Sequence, residues 1–197
     1  MEPPVKEHLA TIPVHDSGAI IEGSYRYLLW RTWDVSRPRA LWILLNPSMA
    51  DEQLDDRTLR RCKTFSASWQ FGGLEIVNLF ALRTPYPRDL YQAANPVGEE
   101  NEQYIIAAVR RATCIILAWG AHGSYRERDR AALALIKAHT ALAPCCLGVT
   151  RSGSPRHPLY IARNKQPFPF VSSAPLTATR RHNAHTWLDV SAPRGVS

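Results

Sequence analysis

Acidic residues are in short supply. The 197-residue chain sets 17 aspartates and glutamates against 24 lysines and arginines, a formal net charge of +7. That balance favours polyanionic partners such as nucleic acid. Cysteine is scarce too. Cys62, Cys114, Cys145 and Cys146 form no CxxC pair, and adjacent Cys145 and Cys146 point to opposite sides of a strand, which makes a poor chelate. Buried, reduced thiols are expected, with no zinc or iron–sulfur site. The 10 glycines include no GxGxxG and no GxxxxGK[ST], which argues against a Rossmann dinucleotide site and a P-loop. There is no GxSxG elbow of an α/β-hydrolase and no HExxH metal motif. No cofactor and no metal are expected. Long apolar runs are missing as well: none approaches the ~20 residues that cross a bilayer. The opening MEPPVKEHLA lacks an apolar signal-peptide core. The expectation is a cytoplasmic protein without a membrane partner.

What is present is an alternation of short apolar runs with helical patterns. Residues 25–33, YRYLLWRTW, read as an edge strand or hairpin partner, and 40–45 as a buried strand. Residues 58–69 carry Leu59, Cys62 and Phe65 at three-residue steps, a helix that Gly72-Gly73 is expected to end. Strands follow at 74–79, 114–119 and 145–149, and helices at 101–112 and 127–140. Buried strands spaced by helices imply a mainly parallel sheet covered on both faces. The predicted fold is therefore a three-layer α/β/α sandwich. Its central sheet is four-stranded and mainly parallel, with an added N-terminal edge strand or hairpin. Residues 1–20 read as a flexible arm and 21–197 as one domain, with the stretch after Gln166 unassigned.

Each buried strand runs into a polar signature. The first ends in LLNPSMAD with Asn46, the second holds Asn78 in EIVNLFALR, the third ends in AWGAHG, and the fourth leads to PRHPLY with His157. In a parallel sheet these positions crowd one rim, where α/β proteins bind ligands. Each residue also has a plainer reading. Asn46 before Pro47 suits a turn, Asn78 and His157 suit loop-ordering hydrogen bonds, and Asp51, Asp55 and Asp56 suit a loop or the N-cap of the following helix.

These four motifs, in this order, resemble the uracil-DNA glycosylase superfamily. LLNPS is similar to that family's first polar turn, IVNLFALRTPYP to its base-reading strand, IILAWGAHG to its third strand, and RHPLY to its His-Pro loop. Over roughly residues 22–165 the chain also resembles domain-of-unknown-function family 1643. The glycosylase resemblance implies hydrolysis of the N-glycosidic bond of a damaged or modified, uracil-like base flipped out of DNA. It implies Asn46 and His157 as catalytic residues and Asn78 as base reader. Phe80 or Trp119 would be the stacking aromatic, with Phe65 in the core, and Arg156 or Leu159 would fill the vacated duplex position. Pro47, Ser48, Asp51, Gly120 and His122 are further candidates to line the site, and Arg57, Arg60, Arg61, Arg126 and Arg156 to grip phosphates. The partner is then DNA, duplex or single-stranded, or modified nucleotides. Two alternatives stay open: a non-catalytic nucleic-acid or nucleotide-binding module, and a hydrolase of free modified nucleosides or nucleotides.

Overall fold

The computed structural model describes residues 17–48 and 54–171. The architecture is α/β, with seven strands in one mixed sheet and four α-helices. The strands are β1 (Gly18–Glu22), β2 (Tyr25–Thr32), β3 (Arg39–Leu44), β4 (Gly73–Asn78), β5 (Ile115–Leu117), β6 (Cys145–Cys146) and β7 (Phe168–Pro169). The helices are α1 (Arg57–Ser68), α2 (Pro87–Gln92), α3 (Asn101–Arg111) and α4 (Arg128–His139). Across the sheet the order is β1-β2-β4-β3-β5-β6-β7. Neighbours from β4 to β6 run parallel, whereas β1, β2 and β7 add antiparallel pairings.

The expected four-stranded sheet is thus corrected to seven strands of mixed direction. Two of the additions were hidden in sequence because they are short. Strand β1 begins at Gly18, inside the stretch read as an arm, and makes a hairpin with β2. Strand β7 is two residues long and pairs with an equally short β6. Residues 1–16 and 172–197 lie outside the described residues.

Burial on both faces accounts for the composition of β3, whose Ala40 to Leu44 are all inside. Alternation along the strands sorts side chains into two cores. Leu41, Ile43, Val77, Ile115 and Leu117 pack with Tyr104, Ile105 and Val109 of α3 and Ala132 and Ile136 of α4. Trp42, Leu44, Leu74, Ile76 and Ile116 face Leu59, Cys62 and Phe65 of α1. The rings of Trp42, Phe65 and Trp69 group at centroid distances of 5.3–6.2 Å. Trp42 meets its polar requirement by donating from Nε1 to Ser66 Oγ at 3.0 Å.

Helix α1 starts where the sequence put it. Asp56 is the N-cap, its Oδ1 accepting from the Leu59 N–H at 2.7 Å. Its end is different. The chain turns at Gln70, left-handed with φ 67°, and not at the glycine pair. Gly72 serves a close backbone approach: a Cβ there would sit 1.8 Å from the Asp34 carbonyl oxygen.

The crossover from β3 leads through α1 to β4 on one side; the next leads from β4 through α2 and α3 to β5 on the other. This reversal opens a crevice at the carboxyl ends of β3 and β5. All four polar signatures leave the sheet around it.

Candidate functional site

A cavity of about 490 Å³ occupies that crevice. Its walls come from the ends of all four parallel strands, from the N-terminus of α1, and from β2. Asn46, Ser48, Trp119, Gly120, His122, Arg156 and His157 line it, so seven of the residues singled out in sequence meet in one place.

Asn46 lies two residues beyond β3. Its Nδ2 donates to the Thr84 carbonyl at 2.8 Å and to the Pro47 carbonyl at 3.1 Å. The Thr84 N–H returns a bond to the Pro47 carbonyl at 3.0 Å. The turn after β3 is thereby sewn to the segment after β4, and Oδ1 remains as the acceptor that Asn46 offers a ligand. Pro47 shapes this turn without lining the cavity. Ser48 Oγ donates to Asp56 Oδ2, which ties the same turn to the head of α1. Asp56 also lines the cavity. Asp51 lies outside the described residues.

His157 caps a 3-10 turn, Pro158–Tyr160, and its Nδ1 accepts from the Leu159 N–H at 3.4 Å. Burial pushes the imidazole pKa below the ordinary histidine value, with the Asp56 carboxylate pulling the other way. The ring is accordingly neutral near pH 7. With Nδ1 accepting, the proton sits on Nε2, which becomes a donor. Arg61 locks the turn to α1: its guanidinium donates to the carbonyls of Pro158 and Ile161 and lies 4.8 Å from the Phe65 ring centroid. Gly120, at φ 76°, lets the exit from β5 run alongside; a Cβ there would come 3.6 Å from that of His157. Across the opening, His122 Nδ1 meets the Tyr91 hydroxyl at 2.9 Å, and burial lowers its pKa as well.

Two aromatic candidates separate. Trp119, although almost wholly buried, lines the cavity. Phe80 does not: it lies in the core on the α3 and α4 face, 5.7 Å from Tyr125, so its expected stacking role is corrected. Asn78 is also fully buried and does not line the cavity. Alternation sets it on the face of Ile76, a cavity residue, one step behind the wall. Its Nδ2 and Oδ1 have no partner among the described residues.

The basic candidates divide in the same way. Arg57 is exposed at the first residue of α1, and Arg156 is exposed at the cavity. Arg60 is exposed and bonds the Asp55 carbonyl at 3.0 Å. Arg61 and Arg126 are corrected. Arg61 is committed to the His157 turn, and Arg126 to the carbonyls of Ala93 and Ala94 at 3.3 and 3.2 Å.

The sequence reading missed Arg26, which lines the cavity at 3% exposure. A signal was available, though Arg31 shares it: both are charged residues inside the apolar run of β2, where a solvated position was not expected. Thr84, Pro85 and Tyr160 also line the cavity; they fall within the stretches IVNLFALRTPYP and RHPLY but were given no role there. Among the described residues no group of three His, Cys, Asp or Glu side chains is placed to hold a metal ion, and no helix is long and apolar enough to cross a membrane. All four cysteines are free.

Fold and cavity together define an α/β protein with a cavity at the carboxyl ends of its parallel strands. The chain belongs to the family described as Protein of unknown function (DUF1643), which matches residues 26–159. That span runs from the buried arginine of the cavity to just past His157. No curated protein and no solved structure matches the chain.

Proposed function

We propose that the protein is a hydrolase of the uracil-DNA glycosylase type, releasing a modified base by cleaving its N-glycosidic bond. One observation carries this reading: an acceptor, Asn46 Oδ1, and a neutral imidazole donor, His157 Nε2–H, border the same cavity. The volume of about 490 Å³ falls within the ~300–1,000 Å³ of small-molecule sites.

The chemistry needs two groups of this kind. As the bond from C1′ to the base nitrogen breaks, the sugar becomes cation-like and the base takes the electron pair. Asn46 Oδ1 accepts a hydrogen bond from a water and aims its oxygen at C1′. The amide is a weak base, but the cation is reactive enough that orientation is most of the task. His157 Nε2–H donates to the base carbonyl, where negative charge grows only in the transition state. The water proton leaves to solvent as the new C1′–O bond forms. The base must first be turned out of its stack; Asn78, buried and absent from the cavity lining, does not touch it, and the base-reading role expected of it is corrected. Arg57, Arg60 and Arg156 would hold phosphates.

Oligonucleotides carrying uracil, hypoxanthine, xanthine or hydroxymethyluracil test the proposal through abasic-site formation. Release of at least one base, lost on replacing Asn46 and His157 together, is the expected result. No release from any oligonucleotide, combined with measurable binding, would replace the hydrolase with a binding module. Base release from free deoxynucleosides alone would move the substrate to that class.

A further inference from the structure

We propose that the cavity takes its base from a single strand of DNA, and that Tyr86 and Tyr160 stack on the nucleotides flanking it. The inference rests on reading the cavity as a nucleobase pocket.

Tyr86 and Tyr160 are 56% and 77% exposed, large solvent costs for aromatic rings that no core explains. Tyr86 follows the cavity residue Pro85 in the segment after β4, and Tyr160 itself lines the cavity, in the turn that His157 caps after β6. The two rings thus come from two separate segments at the cavity.

Both platforms spring from backbone that is held in place. Tyr86 N–H donates to Thr84 Oγ1 at 3.1 Å, and Thr84 is the residue doubly bonded to Asn46 and Pro47. Tyr160 rides the turn that Arg61 clamps, its ring centroid 6.0 Å from that of His157. A backbone already ordered reduces the freedom lost when the rings stack. Cations accompany them: the exposed Arg88 lies 5.0 Å from the Tyr86 centroid, and Arg156 and Arg57 are exposed beside the cavity. Aromatic faces interleaved with positive charge are the means by which proteins track a single strand. A duplex keeps its bases stacked on one another and offers the tyrosines no free face. A free nucleoside would fill the cavity and leave both rings idle.

The test is fluorescence anisotropy with an unmodified thymidine oligonucleotide of about 12 nucleotides, alone and paired with its complement, at one fixed salt concentration. The parent should bind the strand more tightly than the duplex. Tyr86→Ala and Tyr160→Ala should each weaken strand binding about tenfold, and the Phe variants at the same positions should bind like the parent, because stacking needs the ring and not the hydroxyl. Equal or tighter binding of the duplex overturns the proposal. So do alanine variants that bind like the parent, or phenylalanine variants as weak as the alanine ones. An unmodified strand need not be cleaved, so a lack of base release, which sinks the hydrolase, leaves this outcome readable.

Discussion

Asp56 joins three parts of the site, and replacing it separates their energies. One carboxylate oxygen caps α1 and the other holds Ser48, while the charge acts on His157. Asp56→Ala removes all three. Loss of an N-cap costs about 1 kcal/mol. A half-buried hydrogen bond to a charged acceptor adds about 1.5 kcal/mol, at the low end of its range. The sum, roughly 2–3 kcal/mol, lowers the melting temperature of a chain this size by about 5–10 °C. Asp56→Asn keeps a good cap but discards the charge, so it should lose under about 1 kcal/mol, mostly the favourable term with the helix dipole. The two variants also share one electrostatic effect. Asp56 raises the His157 pKa against the lowering by burial, so both should drop it further. Urea unfolding measures the first quantity and an NMR titration of His157 the second. If Asp56→Ala unfolds with the parent, or if Asp56→Asn raises the His157 pKa, the linkage described here is wrong.

Asn46→Ala should slow base release on the order of 10²-fold on every base accepted, whereas His157→Ala should harm poor leaving groups most; single-turnover rates on a base series compare the two. Because folding lowers the pKa of both His157 and His122, the unfolded chain takes up protons that the folded chain refuses as pH falls below about 6.5. Their contribution to stability is therefore complete above that pH and declines on acidification, which urea midpoints between pH 5 and 8 would register. Phe65→Ala empties the space between Trp42 and Trp69 and should cost about 3–5 kcal/mol, read from the same unfolding curves. Arg57→Ala should flatten the salt dependence of DNA binding by about one counterion, while Arg61→Met should leave that slope unchanged, since its guanidinium is spent on backbone carbonyls.

The parallel strands and α1, α3 and α4 were legible because each carries a strong periodicity: Leu59, Cys62 and Phe65 on one helix face, and unbroken apolar runs in β3 and β5. The gathering of Asn46, Gly120, His122 and His157 was legible for a topological reason. Strand-end positions of a parallel sheet must share a rim whatever the strand order. Three things were not. Strand β7 is two residues long and pairs with a strand distant in sequence, and β1 begins in a stretch without periodicity, so no local pattern announces them. Asn78 and Phe80 were misplaced because nothing in NLF tells a wholly buried strand end from one that opens on a cavity. Arg61 and Arg126 looked like free cations because side-chain bonds to backbone carbonyls leave no trace in composition.

Strand β7 ends on Pro169, and β1 carries a bulge against β2. A bare parallel sheet would end in two long rows of unused N–H and C=O groups, open to a second molecule of the same kind. At one described margin a two-residue strand with a proline lacks the donor that a newcomer would require; at the other, the bulge twists a five-residue strand away from flat pairing. The two short additions that were hardest to foresee thus guard a crowded, concentrated solution of this protein against sheet-to-sheet growth, while the rim that carries the cavity stays open.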